Sequence, residues 1–113
     1  MVLQNKKSLY MKALTLPFTM AEDPTVGALR KYIKENSSNM LPDDVRILER
    51  NLDGLETEKI WASELNRDME TLLGFAQNNE FYTQDDDKRA ALLGAAVKLR
   101  EARDALPEDR KNK

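Results

Sequence analysis

Apolar residues first alternate along the chain and then settle into a helical period. Leu14, Leu16, Phe18 and Met20 are separated by Thr15, Pro17 and Thr19, so one face of an extended segment is apolar. Pro17 cannot donate a ladder hydrogen bond, which places this strand at an edge or at its own end. Val2-Leu3 and Leu9–Met11 supply a partner strand, with the turn near Gln4–Ser8. At Asp23-Pro24 the period changes. Asp accepts from the free amides of a helix start, and Pro costs nothing at the first helical position. Val26, Leu29, Tyr32 and Ile33 then form one stripe, with Arg30, Lys31, Lys34 and Glu35 facing water. Asn36-Ser37-Ser38-Asn39 ends the helix.

The last third is also helical in period. Thr83 ahead of Gln84-Asp85-Asp86 predicts an N-cap followed by acids where the helix dipole favours them. Leu92, Leu93, Ala96, Val97, Leu99 and Ala102 give the apolar stripe, Arg100 and Arg103 lie toward its C-terminal end, and Pro107 closes it. Ala90, Ala91, Gly94, Ala95 and Ala96 leave one side narrow, so that another element can approach closely.

Between these helices two readings compete. Val45, Leu48, Leu52, Leu55, Ala62, Met69, Leu73 and Ala76 form a heptad-like seam of helices, interrupted at Gly54. The scarcity of β-branched residues favours that reading. Alternatively Val45–Glu49 is a strand, Asn51–Gly54 a hairpin turn, Leu55 a short return strand and Met69–Phe75 a closing strand. Asp53-Gly54 suits a hairpin or a helix end equally.

The order Thr25-Val26, Pro42-Asp43, Arg46-Ile47-Leu48, Leu55, Ile60 with Leu65, and Thr71-Leu72-Leu73 resembles a ubiquitin-like β-grasp domain over residues 9–76. The resemblance implies an α+β fold with an added C-terminal helix; the alternative is an all-α helical bundle. It divides the chain into a ubiquitin-like domain over 1–78, a C-terminal helix over 79–106 and a disordered tail over 107–113. Ala76-Gln77-Asn78 stands where conjugated members carry Gly-Gly, so the implied type is non-conjugated. Such domains recruit partners through an outer sheet face. Carried over by position, that face holds Arg46 and Leu48, while Val45 and Ile47 turn toward the helix. Leu72 joins it if Leu73 and Phe75 face the core, and a one-residue slip reverses this. The C-terminal helix packs on the sheet, covering Leu48, or projects to a partner.

Composition narrows the chemistry. With 113 residues and 41% apolar positions, the chain holds one domain, or a small one with an appended element. It contains no Cys and no His, which excludes disulfides, thiol nucleophiles, imidazole bases and zinc sites built on either residue. The net charge is -2, unevenly spread: Lys6, Lys7 and Lys12 stand alone near the start, Glu22–Asp87 is acidic, and the remainder is basic. Asp43-Asp44 and Asp85-Asp86-Asp87 are read as helix-start or turn acids, since neither has the spaced acids and Gly of a calcium loop. Trp61 is expected as a core or rim anchor, and Phe81-Tyr82 as a hydrophobic staple rather than a base-stacking platform. No stretch reaches the roughly 20 apolar residues of a membrane span. Lys12 and Pro17 interrupt what would be a signal-peptide core, which leaves a cytoplasmic or nuclear protein as the expectation.

These features predict a non-enzymatic protein-binding module, an adaptor or assembly factor, without cofactor, metal or nucleic acid. The alternative function follows the alternative fold: an acidic all-α inhibitor, immunity-type or extrinsic assembly subunit that binds a partner protein. A hydrolase relying on Asp and Glu alone is the distant third.

Overall fold

A computed structural model describes residues 23–111. The hairpin expected over residues 2–20 lies outside them. Helix α1 (Pro24–Asn36) starts as its sequence requires: Asp23 Oδ1 accepts from the Thr25 amide at 2.7 Å and from its hydroxyl at 2.8 Å, with Pro24 next. A 3-10 turn (Ser37–Asn39) follows, then α2 (Pro42–Glu56), α3 (Ala62–Asn78), the single turn α4 (Glu80–Thr83), α5 (Asp86–Asp104) and the turn α6 (Glu108–Lys111).

No strand occurs among the described residues, which corrects the ubiquitin-like reading. The fold is the all-α alternative. The decisive segment is Val45–Glu49, which lies inside α2 and is helical. Pro42 opens its first turn as Pro24 opens that of α1, but here the acids Asp43 and Asp44 follow the Pro in the first turn, and Leu41 ahead of it gives no side-chain cap. Asp53-Gly54 is neither a hairpin turn nor a cap but helix interior. The helix ends two residues later at Glu56, and beyond it Lys59 N–H bonds Gly54 O at 2.9 Å and Glu58 N–H bonds Leu55 O at 3.2 Å. This is the Schellman pattern, and Glu58 (φ 60°) takes its left-handed position. Met69–Phe75, read as a closing strand, is the middle of α3.

One hydrophobic cluster joins all the long helices. It is built from Val26, Leu29 and Ile33 of α1, Leu48 and Leu55 of α2, Leu65 and Leu72 of α3, Tyr82 of α4, and Leu92 and Leu99 of α5. Buried residues on both sides of position 78 share it, so a boundary there does not separate two cores. The most extensive contact is α3 on α5. These two run antiparallel: Arg103 near the end of α5 donates to Asn66 Oδ1 near the start of α3 at 2.7 Å. Residues 108–111 of the expected tail form the turn α6.

The last long helix departs from its expected start. Thr83 ends α4, and the N-cap of α5 is Asp85, whose Oδ1 accepts from the amides of Asp87 and Lys88 at 3.0 and 3.1 Å. The narrow side anticipated around Gly94 is used by α1. Tyr32 crosses to α5 and donates to Ala91 O at 2.7 Å. A Cβ on Gly94 would lie 2.1 Å from the Tyr32 hydroxyl and 2.8 Å from Cζ. Gly94→Ala is therefore expected to destabilise by about 1–3 kcal/mol through overpacking and loss of the phenol bond, exceeding the roughly 1 kcal/mol that Ala gains in helix propensity. In a Tyr32→Leu background the same change should cost far less, and urea unfolding of the four proteins measures that coupling. Gly74 is the counter-case. Nothing lies within 4 Å of a Cβ added there, inside α3. Gly74→Ala should stabilise by about 0.5–1 kcal/mol, seen as a raised denaturation midpoint.

Candidate functional site

Two of the three residues expected on a partner-binding face are core residues. Leu48 and Leu72 are each 0% exposed, at the contacts of α2 and α3 with the rest of the bundle. In a strand, Leu48 and Ile47 would point to opposite faces. In α2, Leu48 instead continues the stripe Asp44, Leu48, Asn51, Leu55, and Ile47 is half-buried beside it. Arg46 is solvent-facing, its side chain 68% exposed, and pairs with Asp43 one turn earlier. The structure does not bring the three together on one surface.

Four side chains in contact with the core, Tyr32, Asp44, Asp68 and Tyr82, carry shifted protonation equilibria. Tyr82 is fully buried in α4; its hydroxyl donates to Asp44 Oδ2 at 2.5 Å and accepts from the Leu41 amide at 2.9 Å. Leu41 offers no side-chain cap to α2, so Tyr82 supplies part of that cap from another helix. Burial pushes the Asp44 carboxyl above its usual range, partly offset by the Tyr82 hydrogen bond. Burial, together with the bond to Asp44, also pushes the Tyr82 phenol up, so it remains a donor. A second node joins α2 to α3. Asn51 Nδ2 donates to Asp68 Oδ2 at 2.8 Å and to Ile47 O at 2.7 Å, and Arg50 reaches the same carboxylate at 3.0 Å. Burial alone would raise Asp68, but the bonds from Asn51 and Arg50 and the charges of Arg50 and Arg67 together bring it below the ordinary value. Asn51 Oδ1 is buried without a partner. The Tyr32 phenol is raised by burial under its bond to Ala91 O. Each of these groups is engaged in a helix-to-helix bond.

The surface holds a cleft of about 360 Å³ where the end of α5 meets the start of α3. Ala62, Asn66, Arg103, Asp104 and Lys111 line it. Arg103 is bonded to Asn66 and paired with Asp104 at 3.0 Å, and Lys111 is 3.5 Å from Glu108. Its cations are thus already matched to acids. Among the described residues no cluster of three or more Asp or Glu is placed to hold a metal ion. Asp43 and Asp86 instead meet Arg46 and Arg89 of their own helices, and Asp87 lies in the first turn of α5. No helix among them is long and apolar enough to cross a membrane.

The exposed apolar residues lie elsewhere. Leu93 and Val97, one turn apart on α5, remain 38% and 37% exposed, and Phe75 on α3 is exposed as well. Leu93 and Val97 were expected in the buried stripe of this helix. That stripe was too wide: Leu92, Leu93, Ala96, Val97 and Leu99 span more than the arc one helix face can bury. The excess width was the signal in the sequence. Trp61 is half-buried just before α3, its backbone amide 3.3 Å from Glu64 Oε2. Phe81 packs edge-on against Tyr82 with ring centroids 5.0 Å apart, and Lys88 Nζ lies 4.3 Å from its centroid. Comparisons with protein-family models, with curated proteins and with solved structures find no match for this chain.

Proposed function

We propose that this chain is a non-enzymatic, all-α protein that acts by binding another protein, as an inhibitor or an assembly subunit does. The observation that carries the reading is that Leu93 and Val97, one turn apart on the longest of the described helices, both stay exposed, an apolar pair that a partner would cover. Supporting it, the groups with shifted pKa values are consumed in packing contacts, where a reacting substrate has no access to them. Shifted groups in an accessible cleft would favour catalysis instead. Around the apolar pair, Arg89 and Arg100 alternate with Asp86, Glu101 and Asp104, so recognition there reads a pattern of both signs rather than one strong field.

The test is size-exclusion chromatography of the tagged chain from lysate of the cells that make it, at about 0.15 M ionic strength. A complex of fixed stoichiometry is the expected result. Elution as the free chain alone, or substrate turnover abolished by Asp104→Asn in the cleft, would overturn the reading.

A further inference from the structure

Two arginines from different helices meet on one buried carboxylate. Arg50 of α2 reaches Asp68 Oδ2 at 3.0 Å, and Arg67 of α3 reaches Oδ1 at 3.4 Å. Asp68 is buried, while the two arginine side chains stay 62% and 65% exposed. Among the described residues the acids Asp43, Glu56, Asp86, Glu101 and Asp104 each meet a single cation. At Asp68 two cations share one anion, so the cluster keeps a net positive charge. Each guanidinium holds a fork of N–H donors and uses one on Asp68, with no further side-chain bond among the described residues. Asp53 on α2 and Glu64 and Glu70 on α3 stand one turn from these arginines, yet among the described residues none of them pairs with either.

The support behind this pair is costly to keep. Asn51, fully buried, donates to Asp68 Oδ2 and leaves its own Oδ1 without a partner. An orphaned buried acceptor costs about 1–3 kcal/mol. A buried ion pair is also a poor way to stabilise a helix contact, since apolar packing of similar volume often does as well or better. What Asp68 and Asn51 achieve is spacing: they set two exposed guanidiniums one on each oxygen of a carboxylate. A second carboxylate arriving from solvent meets that same spacing, one oxygen for each arginine, and cancels the remaining charge of the cluster.

We propose that Arg50 and Arg67 are an oxyanion-binding pair that takes a carboxylate, with Asp68 and Asn51 as the positioning residues behind it. The carboxylate comes from a small organic acid or from an acidic side chain of a protein. The site lies on α2 and α3, whereas Leu93 and Val97 lie on α5, and it does not depend on the partner-binding reading.

The test follows the arginine Nε–H resonances of the full chain by NMR at a fixed ionic strength of about 0.15 M. The probes are malonate and a tetraglutamate peptide, with inorganic phosphate as an anion of similar charge. The expected result is that Arg50 and Arg67 shift together along one saturating curve, while Arg46 and Arg89 do not. Arg50→Lys, which keeps the charge and loses the fork, should weaken binding about tenfold, and Arg67→Gln at least as much, with circular dichroism unchanged. Saturation by malonate assigns a small acid, and saturation by the peptide alone assigns a protein side chain; either upholds the pair. Shifts that never saturate, or that are equal at all four arginines, are charge screening and overturn the site. Phosphate binding more tightly than both carboxylate probes overturns the ligand class, and undiminished binding in both variants overturns the pair. None of these outcomes alters whether the chain elutes with a partner protein, so the two readings fail separately.

Discussion

Leu48→Ala is expected to lower the unfolding free energy by about 2–5 kcal/mol, the range for deleting a leucine side chain from a packed core. Ile47→Ala, at a half-buried position, should cost less, about 1 kcal/mol. The contrast is informative because a strand and a helix predict opposite orders for these neighbours. With alternation across a sheet, Ile47 is the core residue and Leu48 a surface residue. With α2 as a helix, Leu48 is fully buried between Asp44 and Asn51. Urea unfolding of both variants, with equal denaturant slopes, reads the order directly. A larger loss for Ile47→Ala would contradict the helix over Val45–Glu49.

The residues that misdirect the sequence reading are polar residues in buried positions. The inward stripe of α2 is Asp44, Leu48, Asn51, Leu55, and that of α3 includes Asp68 between Leu65 and Leu72. Half of the first stripe is hydrophilic, so an apolar period cannot reveal it. The visible apolar residues, Val45, Ile47 and Leu52, lie beside the stripe and draw the eye to the wrong register. What rescues the buried polar groups is not written locally: Asn51 finds Asp68 seventeen residues on, and Asp44 finds Tyr82 thirty-eight residues on. Where the core is apolar and the caps are local, the sequence is legible. Asp23-Pro24, the stripe Val26, Leu29, Ile33 and the close approach at Gly94 all follow from neighbouring residues. The same limit governs the surface. Arg46, Leu48 and Leu72 share a face only in a sheet register that the chain does not adopt. The Leu93–Val97 pair needed only the arc of α5 to be counted.

Tyr82→Phe removes one oxygen and leaves two groups without their partner. The Leu41 amide loses its acceptor and the buried Asp44 carboxylate loses its donor. The expected cost at neutral pH is about 2–3 kcal/mol, because unsatisfied buried groups keep their full desolvation penalty and a charged one adds to it. The cost should depend on pH. Burial raises the Asp44 pKa, and the Tyr82 hydroxyl restrains that rise by favouring the ionised form. A raised folded-state value means that the folded chain holds this proton more tightly than the unfolded one. Asp44's contribution to stability is then fully present below the ordinary carboxylate value, about 3.9, and is lost as pH rises through the raised value. Without the hydroxyl the rise is larger and the loss greater. The stability gap between the parent and Tyr82→Phe should therefore widen as pH climbs from about 4 toward neutral, and narrow again in acid. Asp68, whose pKa is lowered, acts with the opposite sign: its contribution is present above the ordinary value and fades as pH falls. It does so in both proteins alike and cancels from the gap. Placing Asp44→Asn in both backgrounds should flatten the remaining dependence. A gap that stays constant across this range would mean that the phenol does not hold the carboxylate, and that α4 caps α2 by shape alone.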